Sequence, residues 1–138
     1  RNELVDIQCK EIVDRANLDY TVLDFPEEKE YYEKIEFEFF NKIFREFTGL
    51  NERNQAQKHD SRRFIYTDDS CISMIHVLWR QNKLNVSAIL RSSNVSKTLW
   101  ADYEFLKILS VKTAKEMSLP EDCVINLAVN IRSAHIVP

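Results

Sequence analysis

The chain has 138 residues, 44% hydrophobic and 30% charged, with a formal charge of −3, which describes one globular domain with room for a single core. That charge gives no support to general nucleic-acid binding, and no apolar run approaches the roughly 20 residues of a membrane helix. A single glycine, Gly49, excludes the Walker loop and the Rossmann fingerprint, which each need several.

The chain opens with Arg-Asn-Glu-Leu, neither a signal peptide nor a natural start, so a partial copy of something longer is expected. Leu4, Ile7, Ile12 and Val13 recur at roughly helical spacing and predict a first helix over residues 4–15. Tyr20 to Phe25 is β-rich and halted by Pro26, which reads as a short strand. From Glu27 to Phe47, Tyr32, Ile35, Phe39, Phe40, Ile43, Phe44 and Phe47 keep a helical period, with Gly49 as the stop. The phenylalanines read as core, and Glu27, Glu28, Lys29, Glu30 and Glu33 as a solvated helix start. Residues 51–61 are polar and aperiodic, a surface loop.

Three β-type segments follow at 62–67, 71–79 and 84–91, with Arg80-Gln-Asn-Lys as a hairpin connection between the last two. Ser96 or Thr98 is placed to cap a second long helix through Leu99, Phe105, Leu106, Leu109, Val111 and Met117, ending before Pro120. Residues 124–137 alternate through Ile125, Leu127, Val129 and Ile131 as a closing strand. With no repeat or linker, residues 1–138 form one α+β domain, a sheet packed by two long helices.

Cys9, Cys71 and Cys123 show no C-x-x-C spacing and point to free thiols in a reducing compartment such as the cytoplasm. His59, His76 and His135 share no metal-ligand spacing with them; His76, on an apolar strand, reads as a satisfied core or interface residue. Alone, Cys71 would be a small buried apolar residue on a strand. Its company changes that reading: Ser61-Arg62-Arg63 precede it, and Arg91-Ser92-Ser93-Asn94 follow on the next β segment. Arginines around a cysteine favour the nucleophilic thiolate form. Forked guanidinium donors beside a serine hydroxyl also suit a phosphate dianion. Asp102, read by itself, is an exposed acid in a first helical turn, where the helix dipole favours it.

Taken in order, these motifs resemble those of the thymidylate synthase and deoxycytidylate hydroxymethylase family, from about Ser61 to Val137. Ser61-Arg62-Arg63 is similar to the family's arginine pair, which reaches the substrate phosphate of the partner subunit. Cys71 falls at the family's nucleophile, and Arg91-Ser92, twenty positions on, at its phosphate-binding pair. Asp102, thirty-one positions after the cysteine, falls at the base-reading residue, and Ser133-Ala134-His135-Ile136 resembles the sugar-binding segment. The resemblance implies a bent mixed sheet whose back packs on that of a second subunit. It makes the chain a homodimer that donates Arg62 and Arg63 to the neighbouring site. It also implies a pyrimidine nucleoside monophosphate as substrate and 5,10-methylenetetrahydrofolate as one-carbon donor. Catalysis is then covalent: the Cys71 thiolate adds to C6 and makes C5 a carbon nucleophile.

Thymidylate synthases carry Asn at the base-reading position, matched to uracil. Cytosine inverts the donor and acceptor, and a carboxyl group accepts from N4 and, when protonated, donates to N3. The family's deoxycytidylate hydroxymethylases carry Asp there, so a folate-dependent cytidylate (dCMP or CMP) hydroxymethylase is expected. Methylation of dUMP, or a catalytically degenerate nucleotide-binding dimer, are the alternatives.

The sequence also departs from the family pattern. Val137 replaces a sugar-binding Tyr, which leaves ribose or deoxyribose open, and Asn94 replaces an Asp. Ser70-Cys71-Ile72 lacks the flanking Pro and His, and the stretch from Arg63 to Cys71 is short for the family. Thr98-Leu99-Trp100-Ala101 is bulkier than the glycine loop it replaces, and Glu11 is the only candidate found for the upstream catalytic Glu.

Overall fold

The computed structural model of the chain describes residues 2–48, 62–94 and 98–136. The loop at 51–61 with Ser61 and His59, the stop at Gly49, the cap at Ser96, and Val137 lie outside the described residues. Six strands and two helices follow in the order β1 (Asn2–Ile12), α1 (Lys29–Thr48), β2 (Ile65–Thr67), β3 (Ile72–Arg80), β4 (Lys83–Leu90), β5 (Ser93–Asn94), α2 (Leu99–Glu116) and β6 (Val124–Ile136). The sheet runs β1-β6-β4-β3-β2, with β5 also paired to β6. The β4–β6 and β5–β6 ladders are parallel and the others antiparallel. This is a mixed sheet with two helices, the α+β architecture expected from the sequence. Parallel neighbours need a crossover, and α2 provides it between β5 and β6.

In α1, Tyr32, Ile35, Phe39 and Ile43 are buried, spaced by three and four residues so that they share one face. The core status of Phe39 holds, and Phe40 packs partly buried against it. Helix α2 is buried nearly all round, at Ala101, Phe105, Leu106, Ile108, Leu109, Val111 and Ala114 among others. Opposite them Ile75, Val77, Leu84, Val86, Ala88, Ile125, Leu127 and Val129 turn one face of the sheet into the same core. The other face carries half-buried Met74, His76, Asn85, Ser87, Ile89, Asn126, Ala128 and Asn130, with no helix over it among the described residues. No helix there is long and apolar enough to cross a membrane.

Two element expectations are corrected. The predicted helix at 4–15 is instead strand β1, paired with β6 from Asn2↔Ile136 to Ile12↔Asn126. From Asp6 to Ile12 exposure alternates residue by residue, the period of a strand. Glu11 points inward to Lys107, at 3.3 Å, while Ile12 is left 68% exposed. This inversion of polar and apolar hides the alternation. The predicted strand at Tyr20–Phe25 is a 3-10 turn over Tyr20–Asp24. There the Asp19 carboxylate accepts from the Thr21 amide at 3.0 Å, a local bond that competes with an extended chain.

The hairpin between β3 and β4 turns on Gln81 and Asn82, with φ of 52° and 60°, the left-handed pair of a type I′ turn. At the end of α2, Leu119 N–H donates to Ala114 O and Ser118 N–H to Lys115 O, each at 3.0 Å. Ser118 there takes a φ of 54°, a Schellman ending without glycine.

Candidate functional site

Two irregularities in the sheet lie side by side. In β3 the register with β4 shifts between Ile72 and Met74, a bulge of the kind that re-aims side chains beside functional sites. Across from it the β4–β6 ladder stops at Leu90↔Ile131 and resumes at Ser93↔Ala134 without a change of register. Arg91 and Ser92 occupy the gap. The Arg91 amide donates to the Cys71 carbonyl at 2.7 Å, so the candidate nucleophile and the candidate phosphate-binding pair are neighbours.

A cavity of about 510 Å³ opens here, within the roughly 300–1,000 Å³ of small-molecule sites. The turn before β3 contributes Ser70 and Cys71, and the β4–β5 junction Arg91, Ser92, Ser93 and Asn94. The start of α2 adds Thr98 and Asp102, and the start of α1 adds Glu28 and Tyr31. Cys71 is exposed rather than buried in the core, and all three cysteines are free.

Two adjacent tyrosines of α1 hold this wall. The Tyr31 hydroxyl donates to Ser70 Oγ at 3.0 Å and accepts from the Ile72 amide at 2.9 Å. Burial pushes its pKa up to about 12, so it stays a neutral donor and acceptor. Tyr32 stacks on Phe105, with centroids 4.5 Å apart, and donates its hydroxyl proton to Asp102 Oδ1 at 2.8 Å.

Asp102 is only 4% exposed, which excludes its reading as a solvated helix-start acid. Burial raises its pKa to about 6, the Tyr32 hydrogen bond works against the rise, and the nearby Glu28 carboxylate adds to it. A carboxyl group with that pKa is half protonated near pH 6, and so can both donate and accept. Trp100 does not fill the cavity: it is 48% exposed and meets Phe25 edge-on, with centroids 6.3 Å apart.

The other expected site residues lie elsewhere. Arg62 and Arg63 are exposed and lead into β2. The Phe64 carbonyl accepts from the Val77 amide, and the Arg62 carbonyl lies 3.2 Å from His76 Nε2. At about 3.3 Å per strand residue, this is roughly 20 Å along β3 from Cys71. Within one chain the expected cluster of three arginines around Cys71 is therefore only Arg91. The backbone of His135 pairs with Glu3 and Asn94 in β6, and its side chain lies outside the described residues. Glu11 is engaged with Lys107, and Glu28 is the glutamate on the cavity wall.

Glu28, Tyr31, Ser70, Ser93 and Thr98 were not recognised in the sequence as site residues. The charge run at 27–33 reads Glu28 as part of a solvated helix start, and its place on the cavity wall corrects that reading. The available signal was the polar pair Glu28 and Tyr31 at i, i+3, on one side of the helix start. Among the described residues no group of three His, Cys, Asp or Glu side chains is placed to hold a metal ion. No protein-family model matches the chain, and no curated protein matches it.

Proposed function

We propose that the chain is the nucleotide-binding core of a pyrimidine nucleotide C5-transferase similar to thymidylate synthases and deoxycytidylate hydroxymethylases, and that it takes a cytidylate. One observation carries the reading. Cys71, Arg91, Ser92 and Asp102, picked out by their order along the chain, line a single cavity. In the proposed reaction Arg91 and Ser92 hold the 5′-phosphate, and the Cys71 thiolate forms a bond to C6. The electron pair displaced by that addition moves towards N3 and the ring carbonyl. A protonated Asp102 donating to N3 stabilises the developing charge, while the same carboxyl accepts from N4. Loss of the C5 proton, addition of water and breakage of the Cys71–C6 bond would complete the turnover, with the one-carbon unit for C5 supplied by 5,10-methylenetetrahydrofolate, implied by the resemblance, which would leave as tetrahydrofolate. No residue of this chain is assigned to it. Asp102 favours the hydroxymethyl product.

The helix-free face of the sheet is the proposed homodimer surface. Such a dimer brings Arg62 and Arg63 of one chain to the phosphate of the other. The test is a calorimetric screen of CMP, dCMP, UMP and dUMP, with mass spectrometry for a covalent adduct with the 5-fluoro nucleotides. Cytidylate binding with adduct formation is the expected result, and binding of none of the four refutes the proposal.

A further inference from the structure

Strand β2 does not continue straight back into the arginines that precede it. The Ile65 amide donates to the Arg63 carbonyl at 2.8 Å, which closes a three-residue turn on Phe64. Phe64 is 1% exposed and its carbonyl accepts from the Val77 amide at 2.9 Å, so the turn has a buried pivot. Opposite Ile65 stands His76, half-buried on the helix-free face of the sheet. Its Nε2 lies 3.2 Å from the Arg62 carbonyl. A carbonyl only accepts, so Nε2 carries the hydrogen and the ring is the donor. In a continued strand, Arg62 would lie three residues beyond the partner of His76, roughly 10 Å along the sheet. An imidazole side chain is too short to span that. The turn at Phe64 brings Arg62 back within reach, and the His76 bond ties it there.

We propose that His76 is a positioning residue for phosphate binding. From the helix-free face it fixes the backbone that carries Arg62 and Arg63, and so sets where their guanidinium groups enter the partner's cavity. This rests on the nucleotide and shared-site reading of the protein. Arg62 and Arg63 are exposed, and a long exposed side chain loses rotamer freedom when it grips a ligand. A backbone already held in place lowers the ordering cost of binding. His76 itself touches neither phosphate nor base and acts only through the arginines.

Calorimetry tests this with whichever of CMP, dCMP, UMP and dUMP the unaltered chain binds most tightly, beside the nucleoside that lacks its phosphate. His76→Ala is expected to lose roughly three- to tenfold in affinity for the nucleotide, the net worth of one hydrogen bond, and nothing for the nucleoside. His76→Gln, whose amide is still a donor, is expected to recover most of that loss. In a chain that already carries Arg62→Ala and Arg63→Ala, His76→Ala is expected to change nothing further, because what it positions is gone. Sedimentation should find every one of these chains dimeric. Nitrogen-15 NMR of the neutral His76 ring should place its hydrogen on Nε2, and a hydrogen on Nδ1 overturns the bond whatever the chain binds. Unchanged nucleotide affinity in His76→Ala, or an equal loss for nucleotide and nucleoside, overturns the positioning role alone. A His76→Ala chain that has become monomeric also overturns it, since His76 then holds the dimer rather than the arginines. A monomeric unaltered chain that binds nucleotide overturns the shared site, and His76 with it. Failure of the unaltered chain to bind any of the four nucleotides overturns the nucleotide reading itself.

Discussion

Asp102→Asn is expected to stabilise the folded chain by roughly 3 kcal/mol at neutral pH and to have little effect near pH 4. The magnitude follows from the rise of the Asp102 pKa from 3.8 to about 6, at about 1.36 kcal/mol per unit. Between those values the folded chain holds a proton that the unfolded chain has released. Stability contributed at this position therefore falls as pH rises through that window, and the penalty is complete above it. Asparagine carries no charge to bury and keeps an oxygen for the Tyr32 hydroxyl, so its difference from the unaltered chain opens over the same window. Urea unfolding of both proteins at half-unit steps from pH 4 to 7.5 measures it, and the other carboxylates cancel in the comparison. A difference that stays flat with pH refutes the buried, proton-holding carboxyl.

Further outcomes follow from the same cavity. Cys71→Ala should abolish the covalent adduct with a 5-fluoropyrimidine nucleotide while leaving the thermal midpoint unchanged, since Cys71 is exposed; an adduct in the variant ends the covalent mechanism. Arg91→Ala should weaken nucleotide binding by roughly ten- to a hundredfold, the range of a charge-assisted hydrogen bond, nearer the lower end because Arg91 is exposed. Nucleosides lacking the phosphate should lose nothing by that change, and calorimetry decides. Asp102→Asn should also move preference from cytidylate towards uridylate by roughly ten- to a hundredfold in relative kcat/KM, because the amide restores the order uracil needs; an unchanged ratio removes Asp102 from base reading. Tyr32→Phe deletes the hydrogen bond that holds the Asp102 pKa down, so the carboxyl should titrate higher still in an NMR titration. A downward move contradicts the pairing.

How much of this was legible depended on whether local pattern and tertiary role agreed. Helix α1 and strand β6 were readable because their apolar residues fall at the period of the element that buries them. Strand β1 was not, because Glu11 faces Lys107 and Ile12 faces out, and pairing with β6 decides the matter instead. The site divides along the same line. Cys71, Arg91, Ser92 and Asp102 stand in a recognisable order along the chain. Tyr31 and Tyr32 have no such order: a tyrosine on a core-facing helix looks the same whether its hydroxyl meets a serine, a carboxylate or a cavity. Their roles exist only once α1 is laid against β3 and α2. Arg62 and Arg63 show the converse. Sequence grouped them with Cys71, and the length of β3 separates them from it within one chain.

Adjacent residues on an α-helix point about 100° apart, so Tyr31 and Tyr32 reach two different elements from one turn of α1. Tyr31 fixes Ser70 and the Ile72 amide on either side of Cys71. Tyr32 fixes Asp102 in the first turn of α2. Cys71 and Asp102 sit on separate elements, and the rigid spacing between two consecutive side chains relates one to the other. Covalent addition at C6 with proton donation at N3 needs both groups placed against one ring, and a displacement of about 1 Å can cost a hundredfold in rate. The packed face of α1, at Ile35 and Phe39, is thereby part of the site's geometry, although neither residue lines the cavity. A change there that shifts the helix without unfolding the chain would move both tyrosine hydroxyls together. The first sign of it would be lost alignment of Cys71 with Asp102, before any displacement of Arg91.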